Sequence, residues 1–330
     1  MIIKLLIGTT DRDYSEYLSN VLSERYSETF EVSVTSSTER LTDMLTGSRY
    51  DVALLEPEFT ADVSLSPVNM PLLLVEKPEI DDGSYNKVRK YQRISLIVGD
   101  ILENYAQVSK VSSSFGAGKA RITAVWSPAG GAGKTTVALA YAAKKVLEGK
   151  QVSYLCLENF ASTSVYFQEG GKSISKVFEK LDSNVQMFLM GIRQQDSATG
   201  ISYFCGPENY EDINILTVDD IQILLDACAT GIDELVIDLS SQCDERIQKI
   251  LDIVDKILLV CDSSSTSQVK IKQFINQHNL FEKIEYKTLL VNNKGSKFSD
   301  EKINKSVQLQ YASIADPISV FKSLSSANFE

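Results

Sequence analysis

Nine residues, Pro128-Ala129-Gly130-Gly131-Ala132-Gly133-Lys134-Thr135-Thr136, constrain this chain more than any other stretch. An apolar run from Arg121 to Trp126 precedes them and an alanine-rich run from Thr135 to Glu148 follows. That order predicts a strand, a glycine turn and a helix N-terminus. Such a unit aims several backbone N–H groups and the positive end of the helix dipole at one point, which makes an anion cradle. A nucleoside triphosphate is the expected ligand. Gly130, Gly131 and Gly133 permit positive φ and close approach of the backbone to phosphate oxygens. Lys134 brings a charge to the β- and γ-phosphates, the Thr135 hydroxyl suits Mg²⁺, Thr136 is placed for the α-phosphate, and Ala132 completes the loop.

Other segments repeat the strand pattern. Val152 to Glu158, Glu234 to Asp238, Lys256 to Cys261 and Lys287 to Asn292 are apolar runs separated by helical segments. Unbroken apolar character of that kind is what a parallel sheet covered on both faces requires. Ligands of such sheets bind beyond the carboxyl ends of the strands. Asp238 and Asn292 stand at two of those ends. Asp238 has the placement of a group that grips a Mg²⁺-bound water.

The general phosphate-loop template asks for glycine six residues before its lysine, where this chain has Pro128. The Gly-Gly pair instead resembles the deviant Walker A loop of the MinD/ParA family of ATPases, a likeness that extends from about Arg121 to the end. In that family a first lysine reaches across a dimer interface to the partner's nucleotide; here that position is Ala129. The resemblance implies an ATP·Mg²⁺ dimer in which hydrolysis is weakened more than binding, because a charge-assisted contact to the triphosphate is missing. Relatives carry Asp-x-Asp at the second strand's end, and here Cys156 and Glu158 replace the two aspartates. Glu158 is read either as a water-positioning residue or as a solvated acid. Asn292-Asn293-Lys294 matches the family's adenine-reading pattern, which would make Asn292 a nucleotide contact. Lys134, Asp238 and Glu158 are thus the candidate catalytic residues, and Thr135 and Asp238 the candidate metal ligands.

The first third has its own alternation. Strands are expected at Ile2 to Gly8, Phe30 to Thr35, Asp51 to Leu55 and Leu72 to Val75, with helices at Tyr14 to Tyr26, Glu39 to Leu45 and Ile94 to Tyr105. That pattern predicts a separate small parallel sheet and resembles a response-regulator receiver. The resemblance places Glu56 where receivers carry the phosphoacceptor aspartate and Thr9-Thr10-Asp11 where they carry the acidic pair, so phosphoryl transfer is not expected. Either Lys77 or Lys90 corresponds to the receiver lysine. A pseudo-receiver used for protein contact and a plain flavodoxin-like structural unit both remain open. The fold class expected is therefore α/β: a receiver-like (flavodoxin-like) domain over 1–108, a Ser/Gly-rich linker over Ser109 to Lys119, and a P-loop NTPase domain with a mostly parallel sheet over 120–330.

A degenerate receiver joined to a MinD/ParA-like domain resembles the TadZ/CpaE group of pilus-assembly localisation proteins. Lys90-Tyr91-Gln92 before an Ile-rich helix, and the run from Gly200 to Pro207 through Leu224-Leu225 to Asp238, carry that likeness, and absence of the first lysine is common in the group. It implies a homodimer through the nucleotide face, contacts with pilus or secretion assembly proteins, and a cytoplasmic location concentrated at a cell pole. Two alternatives stand beside it: a DNA-partition ATPase, and a scaffold that keeps its nucleotide without turnover.

Bulk properties bound these readings. A net charge of −11 disfavours broad nucleic-acid binding. From Lys270 to Lys305, however, eight lysines face four acids and no arginine, and the preferred reading there is a solvated helical face. The five cysteines, Cys156, Cys205, Cys228, Cys243 and Cys261, lack C-x-x-C spacing, which suits reduced, mostly buried thiols. One histidine, His278, leaves no material for a Ser-His-Asp triad. No apolar run approaches the roughly 20 residues that span a bilayer, and no signal-peptide layout is present. The weakly basic segment Ile318 to Phe329 is expected to dock on the core rather than lie on a membrane.

Overall fold

The computed structural model describes residues 2–27, 29–61, 63–77, 85–108, 120–167, 171–178, 181, 185–310 and 316–329. The linker expected over Ser109 to Lys119 lies outside the described residues. The chain divides into two compact units, residues 1–113 with 190–192, and residues 114–189 with 193–330.

The first unit runs β1 (Ile3–Gly8), α1 (Arg12–Arg25), β2 (Phe30–Thr35), α2 (Thr38–Gly47), β3 (Tyr50–Leu55), β4 (Val68–Val75), β5 (Lys87–Arg89) and α3 (Ile94–Val108). Its five strands are parallel in the order β2-β1-β3-β4-β5, the order of flavodoxin-like sheets. Leu5, Leu6 and Ile7 of β1 and Val52 to Leu55 of β3 are wholly buried, as strands covered on both faces must be. The helices start where a side chain can satisfy a first-turn amide. Asp11 accepts from the Tyr14 N–H and Ser37 from the Arg40 N–H. β4 starts at Val68 rather than Leu72 and carries Pro71 within it. β5 pairs with β4 only from Leu73 onward, so Pro71 sits where a strand tolerates a residue without N–H.

The second unit begins with β6 (Arg121–Trp126), α4 (Lys134–Leu147) and β7 (Val152–Leu157). Short pieces follow: α5 (Thr163–Tyr166), α6 (Ser175–Phe178), α7 (Val185–Ile192), whose last three residues count with the first unit, β8 (Gln194–Gln195), β9 (Ser202–Tyr203) and α8 (Asp212–Ile215). Then come α9 (Val218–Cys228), β10 (Glu234–Leu239), α10 (Glu245–Ile253), β11 (Lys256–Cys261), α11 (Ser265–Ile275), α12 (His278–Phe281), β12 (Thr288–Asn292), β13 (Ser306–Gln308) and α13 (Pro317–Leu324). The eight strands pair in the order β13-β12-β11-β6-β10-β7-β9-β8, and β8 is antiparallel to β9 while the other pairs are parallel.

Every residue of β10 and β7 is buried. α4 lies against them, its face from Val137 to Ala143 in the main apolar cluster. α13 packs on α4: Phe321 and Leu324 are buried, the Phe321 ring meets Tyr166 edge-on, and Phe329 meets Tyr141 in the same way. The C-terminal segment is therefore a docked core helix. Among the described residues no helix is long and apolar enough to cross a membrane.

Candidate nucleotide-binding site

The loop between β6 and α4 has the geometry its sequence demands. Gly131 and Gly133 take φ values of 75° and 92°, a region closed to most side chains; Gly130 needs no positive φ. A β-carbon added at Gly130 or Gly131 would meet nothing within 4 Å, so the loop borders open space. Gly133 offers no side chain to cap α4, which leaves the first-turn amides for an anion. Ala129 is 4% exposed and packed in the same apolar cluster as Val137 and Val125.

Lys134 opens α4 at 8% exposure. Its ammonium donates to Ser241 Oγ at 3.0 Å and stands 3.4 Å from Glu158 Oε1. Ser241 lies just past β10 and Glu158 just past β7, so two strand ends converge on one ammonium. Register explains the rest. Asp238 of β10 is level with Cys156 of β7, and Glu158, two residues on from Cys156, projects to the same side of the sheet.

Asp238 is wholly buried. Its Oδ2 accepts from the Tyr154 hydroxyl at 2.9 Å, while its Oδ1 has no hydrogen-bond partner. Burial, with the Glu158 charge behind it, pushes the Asp238 carboxyl up to about 7, against the opposing pull of Thr135, Tyr154 and Lys134. Burial and the Asp238 charge likewise push the Cys156 thiol well above its usual range. Burial raises the Tyr166 phenol above its ordinary pKa, and a hydrogen bond with Thr136 only partly opposes it.

Asn292 ends β12 as expected, but its amide is engaged within its own loop. Nδ2 donates to the Phe298 carbonyl at 3.0 Å, and Oδ1 accepts from Ser296 Oγ at 2.6 Å and the Phe298 N–H at 3.1 Å. The next two residues reach the phosphate loop instead. Asn293 Nδ2 donates to the Ala132 carbonyl at 3.0 Å and Lys294 Nζ to the Gly131 carbonyl at 2.6 Å, with Lys294 at φ 48°. Ser241 and Tyr154 are contacts that motif reading does not assign, and Asn293 and Lys294, which it places with Asn292 in the base-reading pattern, meet the phosphate loop instead. Each arises from register or loop path rather than from local spacing.

The loop residues, Thr135 and Asp238 fit a nucleotide with Mg²⁺. The loop borders open space at Gly130 and Gly131, and the buried Asp238 carboxyl, whose Oδ1 has no hydrogen-bond partner, feels the pull of the Thr135 hydroxyl.

A second polar cluster stands at the carboxyl ends of β1, β3 and β5 in the first unit. Glu56 Oε1 accepts from Thr9 Oγ1 and from Lys90 Nζ, each at 2.7 Å. Its Oε2 accepts from the Thr10 N–H at 2.8 Å and from Thr10 Oγ1 at 3.1 Å. Lys90 also lies 3.5 Å from Asp11, whose Oδ2 accepts from the Tyr91 hydroxyl at 2.7 Å. Between the two lysines left open by the sequence, Lys90 is the one that meets the acids; Lys77 is exposed.

No protein-family model matches this chain, and no curated protein matches it in sequence. Among solved structures it is similar to the ParA family ATPase of Chlorobium tepidum TLS, at 18% identity and a TM-score of 0.50, over 62% of this chain and 90% of that one. It is also similar to the septum site-determining protein MinD of Pyrococcus horikoshii OT3 complexed with Mg-ADP (13% identity, TM-score 0.47, 62% and 94% covered). A third is the MinC:MinD cell division complex of Aquifex aeolicus (14%, 0.48, 62% and 86%). The first of these shows a shared fold, that of ParA-type P-loop ATPases, over more of this chain than residues 1–113 can supply.

Proposed function

We propose that this chain is an ATP-binding switch that pairs face to face with a second copy across two nucleotides. In this reading it positions the assembly machinery of a Flp/type IV-like pilus or secretion system, in the cytoplasm at a cell pole, and turns ATP over slowly. One observation carries it. Lys134, 8% exposed, has its nearest carboxylate 3.4 Å away, beside an uncapped helix start and open space at Gly130 and Gly131. A buried ammonium and a turn of amides so placed are what a phosphate tail satisfies.

The amides from Gly130 to Thr136 would hold that tail, Lys134 would neutralise it, Thr135 and Asp238 would hold Mg²⁺, and the loop after Asn292 would border the base. When bound, the nucleotide supplies concentrated negative charge that groups from two copies can share. A switch follows only if the closed pair binds it better than the single chain does. Lys134→Ala should abolish ATP binding in calorimetry and ATP-dependent pairing in sedimentation; unchanged affinity would overturn the assignment.

Ala129 supports slow turnover, because an alanine packed in the core has no ammonium to extend toward a second copy. The same residue favours a second reading, a scaffold that retains nucleotide with negligible hydrolysis. A single-turnover assay separates the two. The first unit, in this proposal, is a receiver-like contact module that accepts no phosphoryl group, since Glu56 is already neutralised by Lys90 and held by Thr9 and Thr10.

A further inference from the structure

Cys156 stands where β7 and β10 bring a thiol beside a carboxyl group that lacks a full set of partners. Asp238 and Cys156 are level across the two strands, and Glu158 follows on the same side. One ligand atom from each of the three residues lies within 4.8 Å of the other two. Asp238 adds an independent sign of a missing partner: the residue is wholly buried, yet its Oδ1 makes no hydrogen bond. Two carboxyl groups here face one ammonium, that of Lys134, 3.4 Å from Glu158.

We propose that Cys156, Glu158 and Asp238 form a binding site for a divalent transition-metal cation of the zinc class, independent of nucleotide. Sulfur selects the metal class. Mg²⁺ prefers all-oxygen octahedral surroundings, whereas one thiolate with two carboxylates suits a four-coordinate borderline cation and leaves a fourth position for water. Of the three, Glu158 alone is reached by solvent to any extent, its side chain 22% exposed. The surroundings hold two of the ligands in place: the Tyr154 hydroxyl fixes Asp238 Oδ2 at 2.9 Å, and Lys134 restrains Glu158. Ligation releases the Cys156 thiol proton to the buffer and changes no oxidation state. Because Asp238 is shared, a cation bound here competes with the magnesium of the proposed nucleotide complex.

The test uses the full chain, without nucleotide or magnesium, titrated with Co²⁺ as an optical stand-in for zinc. The expected result is a sulfur-to-cobalt charge-transfer band that saturates at one equivalent and bleaches when zinc is added. Cys156→Ser should remove the band, and Cys243→Ser, which alters the exposed cysteine, should leave it. No charge-transfer band, or one that survives Cys156→Ser, overturns the proposal. If Cys156→Ser fails to fold, Glu158→Gln at the partly exposed strand end decides: cobalt affinity should fall more than about tenfold, and wild-type affinity would overturn the site. ATP affinity measured on the same samples keeps the two readings apart. A band without ATP binding removes the nucleotide assignment alone, and ATP binding without a band removes this site alone.

Discussion

Lys90 and Lys134 are both buried lysines at strand ends, and their partners set them apart. Lys90 sits 2.7 Å from Glu56 in a closed pair, whereas Lys134 stands 3.4 Å from Glu158 and bonds a neutral serine. The first ammonium meets two acids, the second one acid and a hydroxyl. Burial works against the charge on both members of the closed pair. For Lys90, hydrogen bonds and charge from Glu56 and Tyr91 outweigh it and raise the pKa. For Glu56, hydrogen bonds from Lys90, Thr10 and Thr9 outweigh it and lower the pKa. The stabilisation is therefore present above the ordinary Glu56 value of 4.5 and lost as pH falls through the lowered one. At the alkaline end it is present below 10.5 and lost only as pH rises through the raised Lys90 value. Lys90→Met should cost about 3 kcal/mol at pH 7 by leaving a buried carboxylate unpaired. That loss should shrink when urea midpoints are compared at about pH 4, where protonation of Glu56 removes the unpaired charge. Lys134 was legible from its motif. Lys90 was not separable from Lys77, because only the path of the chain into β5 brings one of them to the acids.

At the scale of elements, a run of buried residues wrote itself into the sequence wherever a strand has neighbours on both faces. β1, β3, β6, β7, β10, β11 and β12 were legible for that reason. β5, β8 and β13 were not, since two or three residues held by neighbouring strands carry no pattern of their own; β9 lies in the Gly200 to Pro207 run where the resemblance implied a strand. The phosphate loop behaves as one element with α4. A β-carbon at residue 133 would lie 2.4 Å from Asn293 Nδ2, in a left-handed backbone besides. Gly133→Ala should therefore destabilise the fold by roughly 1–3 kcal/mol and weaken ATP binding further, by calorimetry, than its thermal shift alone explains. α13 depends on what it covers. Phe321→Ala should cost about 3–5 kcal/mol in chemical denaturation, and the wild-type chain should leave anionic vesicles unbound in a flotation assay.

Over the whole molecule, the division into two units follows from two sets of alternating apolar runs, each with its own sheet. The basic excess from Lys270 to Lys305 is spread over six exposed lysines of α11 and the segments after it, with Lys287 and Lys302 half-buried and no arginine among them. A gel shift with ATP at physiological salt should accordingly show no retention of duplex DNA. Association should instead follow nucleotide: sedimentation should report twice the mass with ATP and Mg²⁺ as without. The hydrogen bonds from Asn293 and Lys294 to the carbonyls of Ala132 and Gly131 tie together stretches of chain more than 160 positions apart. In the proposed nucleotide complex, changes in the loop that borders the base should then alter the grip on the triphosphate without touching it, and discrimination between ATP and ADP would be a trait of the coupled pair of loops.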